Sequence, residues 1–192
     1  MTRGVEIGAD GLARCPWGGS TPDYLAYHDH EWGKPVRTDN GLFERLTLEA
    51  FQSGLSWLTI LRKREAFRAA FAGFEAEAVA GFGDADVARL MADTGIVRNR
   101  LKVNAALTNA RAVVALRDRG CLDELVWSHA PERHQRPRTM AEVPATSPES
   151  VALAKALKRN GFVFVGPTTM YAAMQACGLV DDHVRGCHRG GA

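Results

Sequence analysis

The sequence lacks any long apolar segment. Among its 192 residues, no run approaches the roughly 20 consecutive apolar residues that a membrane-spanning helix requires. The first residues, MTRGVEIGADGLAR, also contain no apolar stretch of the kind found in a signal peptide. We therefore expect a cytoplasmic protein without a membrane partner.

A strong charge of either sign is also absent. The 24 Lys and Arg residues and the 22 Asp and Glu residues leave a formal net charge of +2. This balance does not by itself indicate a nucleic-acid partner, so any DNA-binding surface has to be local. A hydrophobic content of 46% with 24% charged residues excludes a disordered chain. The sequence contains no internal repeat, and its length suits one domain or two small interlocked lobes.

Cysteine is scarce, with four residues in the chain. Disulfides are not expected in a reducing compartment, which leaves metal binding or plain burial as alternatives. Cys15 and His28 lie near one end of the chain, and His183 and Cys187 lie four residues apart near the other. Residues at this spacing share one side of a helical turn. Two thiolates and two imidazoles would form a closed tetrahedral site for a structural zinc ion.

Other interpretations of these residues stay open. Cys177 and His188 are alternative ligands, and scattered residues that bind no metal are a further possibility. The heptapeptide AYHDHEW, residues 26–32, also resembles a catalytic metal site of a hydrolase, because it holds two histidines and two acids. A hydrolase needs an open coordination position. Two thiolates in the ligand set would leave none.

Helical periodicity dominates the chain after residue 37. Apolar residues recur at helical spacing from Phe43 to Trp57, behind a cap at Thr38 or Asp39, and a second helix is expected from Leu58 to Phe71. Only FVFVG, residues 162–166, favours a strand by its composition. The pattern predicts a mostly α architecture with at most one short strand.

A tight connection, TGIVRN, separates two of the predicted helices. Gly95 permits a left-handed turn, and the next helix is expected to start near Arg98. Backbone N–H groups of such a turn can bind a phosphate, and Arg98, Arg100 and Lys102 add positive charge. The sequence therefore predicts a DNA-binding hairpin, with an ordinary helical hairpin as the alternative.

Glu49 lies at the flank of an apolar helix face rather than at its polar side. It is either a boundary residue at the surface or an acid in a cleft, where an ionised carboxylate needs a partner. Aromatic residues that accompany it in the same part of the sequence are Trp17, Tyr24, Tyr27, Trp32 and Trp57. Aromatic faces with one carboxylate suit a flat cationic ligand, and core packing is the alternative.

Several segments together resemble the 3-methyladenine DNA glycosylase I family. They are RCPW, YLAYHDHEWG, LFERLTLEAFQSGLSWLTILRKRE, TGIVRNRLKVNAALTNARA and GFVFVGPTTMYAAMQACGLVDDHVRGC. The match runs in order from Arg14 to Cys187, and the LE…GLSW block and the Cys/His quartet are its most specific parts.

The resemblance implies an all-α fold of the helix-hairpin-helix superfamily. Residues 42–120 would form the hairpin-bearing lobe, and residues 13–41 with 145–190 would form a zinc-bearing lobe built from both chain ends. Residues 1–12 would be an extension of the single compact unit 13–192. By match to the family motif, one structural zinc ion per chain would be held by Cys15, His28, His183 and Cys187. FVFVG would then be an extended or turn segment between helices.

The resemblance also implies a function. A monomer would flip 3-methyladenine out of double-stranded DNA and hydrolyse its N-glycosidic bond, leaving an abasic site. Glu49 would be the catalytic residue, as recogniser of the charged base rather than as a strong general base. Tyr27 and Trp57 would bind the base, with contributions from Trp17 and Trp32. A non-catalytic, zinc-stapled DNA-binding module is the alternative. The family commonly has Ser where this chain has Ala172, so a hydrogen bond from that position is lost.

Overall fold

The computed structural model describes residues 4–191. Helices dominate these residues, and their single sheet has two short strands. The helices are α1 (Pro22–His30), α2 (Asp39–Gln52), α3 (Trp57–Ala70), α4 (Ala76–Ala80), α5 (Asp84–Ala92), α6 (Arg100–Leu116), α7 (Leu122–Trp127), α8 (Pro148–Arg159) and α9 (Pro167–Ala176). Short 3-10 turns cover Ala72–Phe74 and Met140–Glu142. The expected mostly helical architecture is confirmed. None of the helices between residues 4 and 191 has the length and apolar character needed to cross a membrane.

The N-terminal segment forms a small hairpin. Strand β1 (Glu6–Ile7) pairs antiparallel with β2 (Ala13–Arg14). Arg14 is 5% exposed, and its guanidinium donates hydrogen bonds to Asp10 at 2.6 Å and to Asp29 of α1 at 2.7 Å. The described part of the predicted extension is therefore held against the chain by an ion pair between Asp10 and the buried Arg14. Residues 1–3 of that extension lie outside the described residues.

Side-chain caps define the start of the central helices. Thr38, and not Asp39, caps α2, because its hydroxyl accepts a hydrogen bond from the N–H of Gly41 at 3.2 Å. The expectation that helical spacing continues to Trp57 is wrong, because α2 ends at Gln52 and the chain turns through Gly54 with φ at +82°. Helix α3 then starts within one residue of the predicted position.

Helix α2 lies in the middle of the core and contacts α3, α6, α7 and α9. Its Phe43 and Phe51 pack edge to face against phenylalanines of α3 and the following 3-10 turn. The FVFVG segment is a turn, so the strand predicted from its composition is wrong. Asn109 of α6 holds this turn by hydrogen bonds to both the N–H and the carbonyl of Val163, at 2.8 and 3.1 Å. The composition of this segment favours a strand, but the sheet of the described residues contains only β1 and β2, and neither pairs with it.

The hairpin between α5 and α6 differs from its prediction. Helix α6 begins at Arg100 behind an Asn99 cap, rather than near Arg98. Gly95 has no positive φ, so the predicted left-handed turn is wrong. Glycine is required for a different reason: a Cβ atom at this position would lie 2.9 Å from the Cβ of Ala66. The hairpin packs closely on α3.

Lys102 lies in a different environment from the one predicted. Its side chain is 8% exposed, and its ammonium donates hydrogen bonds to the carbonyls of Phe51 and Ser53 at 2.8 and 2.6 Å. These carbonyls belong to the C-terminal end of α2, where a cation is favourable. The prediction that Lys102 contacts a DNA phosphate is therefore wrong, while Arg98 and Arg100 are exposed as expected.

Replacement of Lys102 by Met should destabilise the protein. The variant leaves two carbonyls at the end of α2 without their charged donor, and we expect the free energy of unfolding to fall by about 1–3 kcal/mol. The exposed Arg100→Met is the matched control and should change stability by less than about 0.5 kcal/mol. Denaturant unfolding measures both. Unchanged stability of Lys102→Met with weakened binding to undamaged DNA would instead support a phosphate contact.

Candidate active site

A cavity of about 320 Å³ opens between α1, α2, α3 and α9. It is lined by Trp17, Tyr24, Tyr27, Trp32, Glu49, Gln52, Trp57, Met140, Val143, Ala172 and Gln175. The structure thus brings together all five residues that were predicted to recognise a base. They come from three separate stretches of the chain, which the sequence alone does not show to be adjacent.

The aromatic rings form one continuous wall. Trp17 and Trp32 meet edge to face with centroids 5.0 Å apart, and the rings of Tyr27 and Trp57 are 5.4 Å apart. The hydroxyl of Tyr24 accepts a hydrogen bond from the N–H of Leu58 at 3.1 Å, which ties α1 to the start of α3. Rings packed in this way keep their orientation without a ligand, so the wall is preformed.

Glu49 is the acid of the cavity and is only 6% exposed. Between residues 4 and 191 no side chain or backbone group makes a hydrogen bond to its carboxylate. Burial raises the pKa of Glu49 to about 8, although Arg45, one helical turn away, opposes the rise. An unpaired buried carboxylate of this kind attracts a cation or a hydrogen-bond donor.

Gln175 is a polar group of the cavity that the sequence analysis missed. Its amide donates a hydrogen bond to Asp182 at 2.7 Å, and the hydroxyl of Tyr171 donates to the same oxygen at 2.8 Å. Because the Nε2 group faces Asp182, the amide oxygen of Gln175 remains the acceptor on the other side. Seven residues separate Gln175 from Asp182, and the turn after α9 that pairs them was not predicted.

The remaining wall comes from positions with little sequence signal. Met140 and Val143 belong to a long segment between α7 and α8. Ala172 lies in the wall, so a serine hydroxyl at this position would face the cavity. The methyl group of Ala172 makes that part of the wall apolar.

A larger cavity of about 530 Å³ has a different character. Its wall includes Arg133, Arg136, Arg138, Glu142 and Asp182 and presents one aromatic side chain. Arg136 already donates hydrogen bonds to the carbonyls of residues 183 and 184, and Arg138 is paired with Glu142 at 2.8 Å. A flat apolar ligand finds no pair of ring faces here, so the smaller aromatic cavity is the candidate base site.

Three of the four predicted metal ligands lie together behind the aromatic wall. The Sγ atoms of Cys15 and Cys187 and a ring nitrogen of His28 all lie within 4.8 Å of one another, and all three residues are buried. His183 does not lie on a helical turn with Cys187, contrary to the prediction, because residues 181–184 form no helix. Its ring nevertheless lies 5.1 Å from that of His28, and its Nε2 atom is buried without a hydrogen-bond partner.

Carboxylates orient both histidines. Asp29 is hydrogen-bonded to Nδ1 of His28 at 2.7 Å, and Asp181 to Nδ1 of His183 at 2.9 Å. The Nε2 atoms then face away from these carboxylates: that of His28 lies 3.4 Å from Sγ of Cys187, and that of His183 has no partner. Such an arrangement is typical of metal-binding histidines. His188, an alternative ligand, contacts Asp29 instead at 3.1 Å, and His30 is exposed.

A protein-family model matches the part of the chain that carries this site. Residues 17–190 match the model of the family described as methyladenine glycosylase. The chain belongs to the methyladenine glycosylase family. The match includes every residue of the aromatic cavity, so the wall, Glu49 and Gln175 all lie within the part of the chain that the family shares.

Two curated relatives match this protein over nearly all of its chain. It is 47% identical to DNA-3-methyladenine glycosylase 1 of Escherichia coli strain K12, over 92% of this chain and 96% of the relative. It is 44% identical to DNA-3-methyladenine glycosylase of Haemophilus influenzae, over 91% and 96%.

Solved structures of the family have the same fold. A crystal structure of 3-methyladenine DNA glycosylase I superposes with a TM-score of 0.88 at 45% identity, covering 92% of this chain and 99% of the other. A variant of such an enzyme in complex with 3-methyladenine superposes with a TM-score of 0.85 at 35% identity, covering 91% and 96%.

The buried carboxylate should make the protein less stable as the pH rises. Because the pKa of Glu49 is raised from 4.5 to about 8, the unfolded chain loses this proton first, and the free energy of unfolding falls between these values. We expect Glu49→Gln to abolish this loss, which amounts to as much as about 4 kcal/mol between pH 5 and pH 8. Denaturant unfolding at several pH values measures it.

The control is Glu65→Gln, because the Glu65 side chain on α3 is 81% exposed. Its stability should follow that of the unmodified protein at every pH. Parallel pH dependence of Glu49→Gln and the unmodified protein would show that Glu49 is ionised in the empty cavity.

Proposed function

We propose that this chain is a monofunctional DNA-3-methyladenine glycosylase. It hydrolyses the N-glycosidic bond between the alkylated base and deoxyribose and leaves an abasic site in double-stranded DNA. The observation that carries this assignment is the unpaired carboxylate of Glu49 in a preformed aromatic cavity. A non-catalytic DNA-binding module would not need such a cavity, and the curated relatives are named as glycosylases. A monomer acting in the cytoplasm is part of the proposal.

The chemistry of the lesion determines what the enzyme has to supply. Alkylation at N3 gives adenine a positive charge and weakens its bond to the sugar, so the base is already a good leaving group. The protein then has to extrude the base, hold it and stabilise the separating charges. Extrusion costs a few kcal/mol and is least costly at a damaged base.

The cavity distinguishes the lesion from adenine by charge. The rings of Trp17, Tyr27 and Trp57 give a cationic base about 0.5–2 kcal/mol of cation–π attraction that neutral adenine lacks. With a pKa of about 8 in the empty cavity, Glu49 carries a proton at neutral pH, and a cationic base favours its ionised form. The amide oxygen of Gln175 adds a second acceptor for the base edge.

These properties assign Glu49 to recognition of the base. A carboxylate that ionises when the cation arrives is engaged with that cation, which stabilises the separating base as long as it keeps its charge. Proton abstraction from water would compete with this pairing. Hydrolysis then depends mainly on the leaving group and on a water molecule admitted to the opposite face of the sugar.

We propose that α5, α6 and their connection form the helix-hairpin-helix contact with the DNA backbone. Arg98 and Arg100 are exposed at this turn and supply charge. The N–H of Gly95 already donates to Asp93 at 2.7 Å, so this residue contributes the close packing of the turn. Leu55, 42% exposed in the turn between the cavity residues Gln52 and Trp57, suits the space that an extruded base vacates.

We further propose that Cys15, His28, His183 and Cys187 hold one structural zinc ion. Zinc bonds of about 2.0–2.3 Å place neighbouring tetrahedral ligands less than about 4 Å apart, which the three clustered residues nearly satisfy already. The unpaired Nε2 atom of His183 supplies the fourth donor. When bound, the ion cross-links the two chain ends and fixes the fold around the cavity.

The direct test is release of free base from alkylated DNA. The unmodified protein should release 3-methyladenine, and Glu49→Gln should do so roughly 10- to 100-fold more slowly at pH 7. Glu65→Gln on the surface of α3 should retain the full rate. Chromatography of the released bases under single-turnover conditions gives the rates. Full activity of Glu49→Gln would remove this residue from the mechanism, and no release by the unmodified protein would refute the function.

Replacement of a metal ligand should lower both zinc content and stability. We expect about one zinc ion per chain in the purified protein and loss of the ion in Cys187→Ser, with a fall in melting temperature. The control is Cys121→Ser. Cys121 is the N-cap of α7 and is not one of the clustered metal ligands, and serine is a common N-cap residue. Metal analysis and thermal melting measure the effects. A protein purified without metal, or one that loses activity on chelation while still folded, would contradict a structural zinc ion.

A further inference from the structure

Arg45 is a buried cation for which the proposed function has not yet given a role. Its side chain on α2 is 13% exposed, and its Nη2 atom donates a hydrogen bond to Glu31 at 3.2 Å. Its Nη1 atom is buried and has no hydrogen-bond partner among residues 4–191. A guanidinium remains protonated even when it is buried. Its charge therefore acts on the surrounding groups.

Glu31 does not neutralise Arg45 by itself. Both oxygens of Glu31 accept short hydrogen bonds from Arg64, at 2.5 and 2.7 Å, and Arg45 shares only one of them at the longer distance. The nearby Glu44 is paired with Arg68 at 2.8 Å. Two guanidiniums on one carboxylate leave one positive charge in excess beneath the cavity.

Glu49 is the acid placed to balance this charge. It follows Arg45 by four residues on α2, so the two side chains lie on the same face of the helix. The other titratable groups that face Glu49 are the phenol of Tyr27 on α1 and the thiol of Cys177 after α9. Burial raises the pKa of both groups, so both are neutral at physiological pH. Arg45 is the cation that acts on Glu49.

We propose that Arg45 is a positioning residue that stabilises the ionised form of Glu49 and so sets the lowest pH at which the cavity accepts a cationic base. This inference rests on the proposed function. The guanidinium acts through the carboxylate and does not line the cavity. Opposite charges at about 4–6 Å typically change the pKa of a carboxyl group by 1–3 units. Arg64 and Glu31 hold Arg45 in place from the outside.

The experiment compares pH profiles of base release. Single-turnover release of 3-methyladenine is measured from about pH 5.5 to pH 9 for the unmodified protein, Arg45→Met and Arg45→Lys. We expect Arg45→Met to move the acidic limb upward by about one pH unit, with a rate at high pH within about twofold of the unmodified protein. Arg45→Lys keeps the charge and should stay close to the unmodified profile.

Three further variants separate this role from a structural one. Glu31→Gln removes the anion that offsets Arg45 and should move the acidic limb in the opposite direction, to lower pH. Combined with Glu49→Gln, Arg45→Met should no longer change the shape of the profile. Arg68→Met removes an arginine paired with Glu44 and Glu65, away from the cavity lining, and should leave the profile unchanged.

Other effects of Arg45→Met on the pH profile overturn the proposal. Equal loss of rate at every pH would make Arg45 a structural residue, and faster release at every pH would show that it mainly repels the cationic base. Should Arg45→Met fail to fold, the direction of the shift in Glu31→Gln decides alone. The pH dependence of unfolding, measured as for Glu49→Gln, gives a readout besides activity. Absence of base release by the unmodified protein refutes the proposed function, while the unfolding measurement still tests the effect of Arg45 on Glu49.

Discussion

Burying the carboxylate of Glu49 in a wall of aromatic rings is unfavourable until a positive charge enters the cavity. The structure keeps this acid on α2, the helix that contacts most of the core, so the group cannot move to solvent to regain its hydration. The proposed recognition of a charged base follows from this constraint. At neutral pH Glu49 keeps its proton in the empty site, and a cationic base would favour its ionised form. Stability and selectivity therefore depend on the same atom group, as is common at functional sites.

The aromatic wall packs directly against the predicted metal ligands His28 and His183. Trp17 lies 5.1 Å from the ring of His28, and Trp32 lies 4.6 Å from that of His183, while both tryptophans line the cavity. An ion held by the histidines would fix the back of the rings against which the base stacks. Arg14 extends the support outward, because it binds the same Asp29 that orients His28. A structural metal can thus influence base binding without touching the base.

Much of the site could be predicted from the sequence, because Glu49, the aromatics and the Cys/His residues belong to distinctive local blocks. Positions that depend on tertiary contacts could not. Lys102 resembles a surface cation in sequence, and only the packing of α6 beside α2 shows that it binds carbonyls. Gln175 gains its orientation from Asp182 across a turn, and FVFVG loses its strand preference because no partner strand exists among the described residues. Local propensity gives way to packing in each case.

The ammonium of Lys102 joins α6, which follows the proposed DNA-binding turn, to the end of α2, the helix that carries Glu49. The carbonyls it binds lead directly into the turn with Leu55, which lies in the chain between the cavity residues Gln52 and Trp57. Hydrogen bonds of Lys102 therefore connect the helix after the hairpin to the turn between α2 and α3. A DNA contact at the proposed hairpin would therefore act through Lys102 on the turn that joins α2 to α3, next to the cavity.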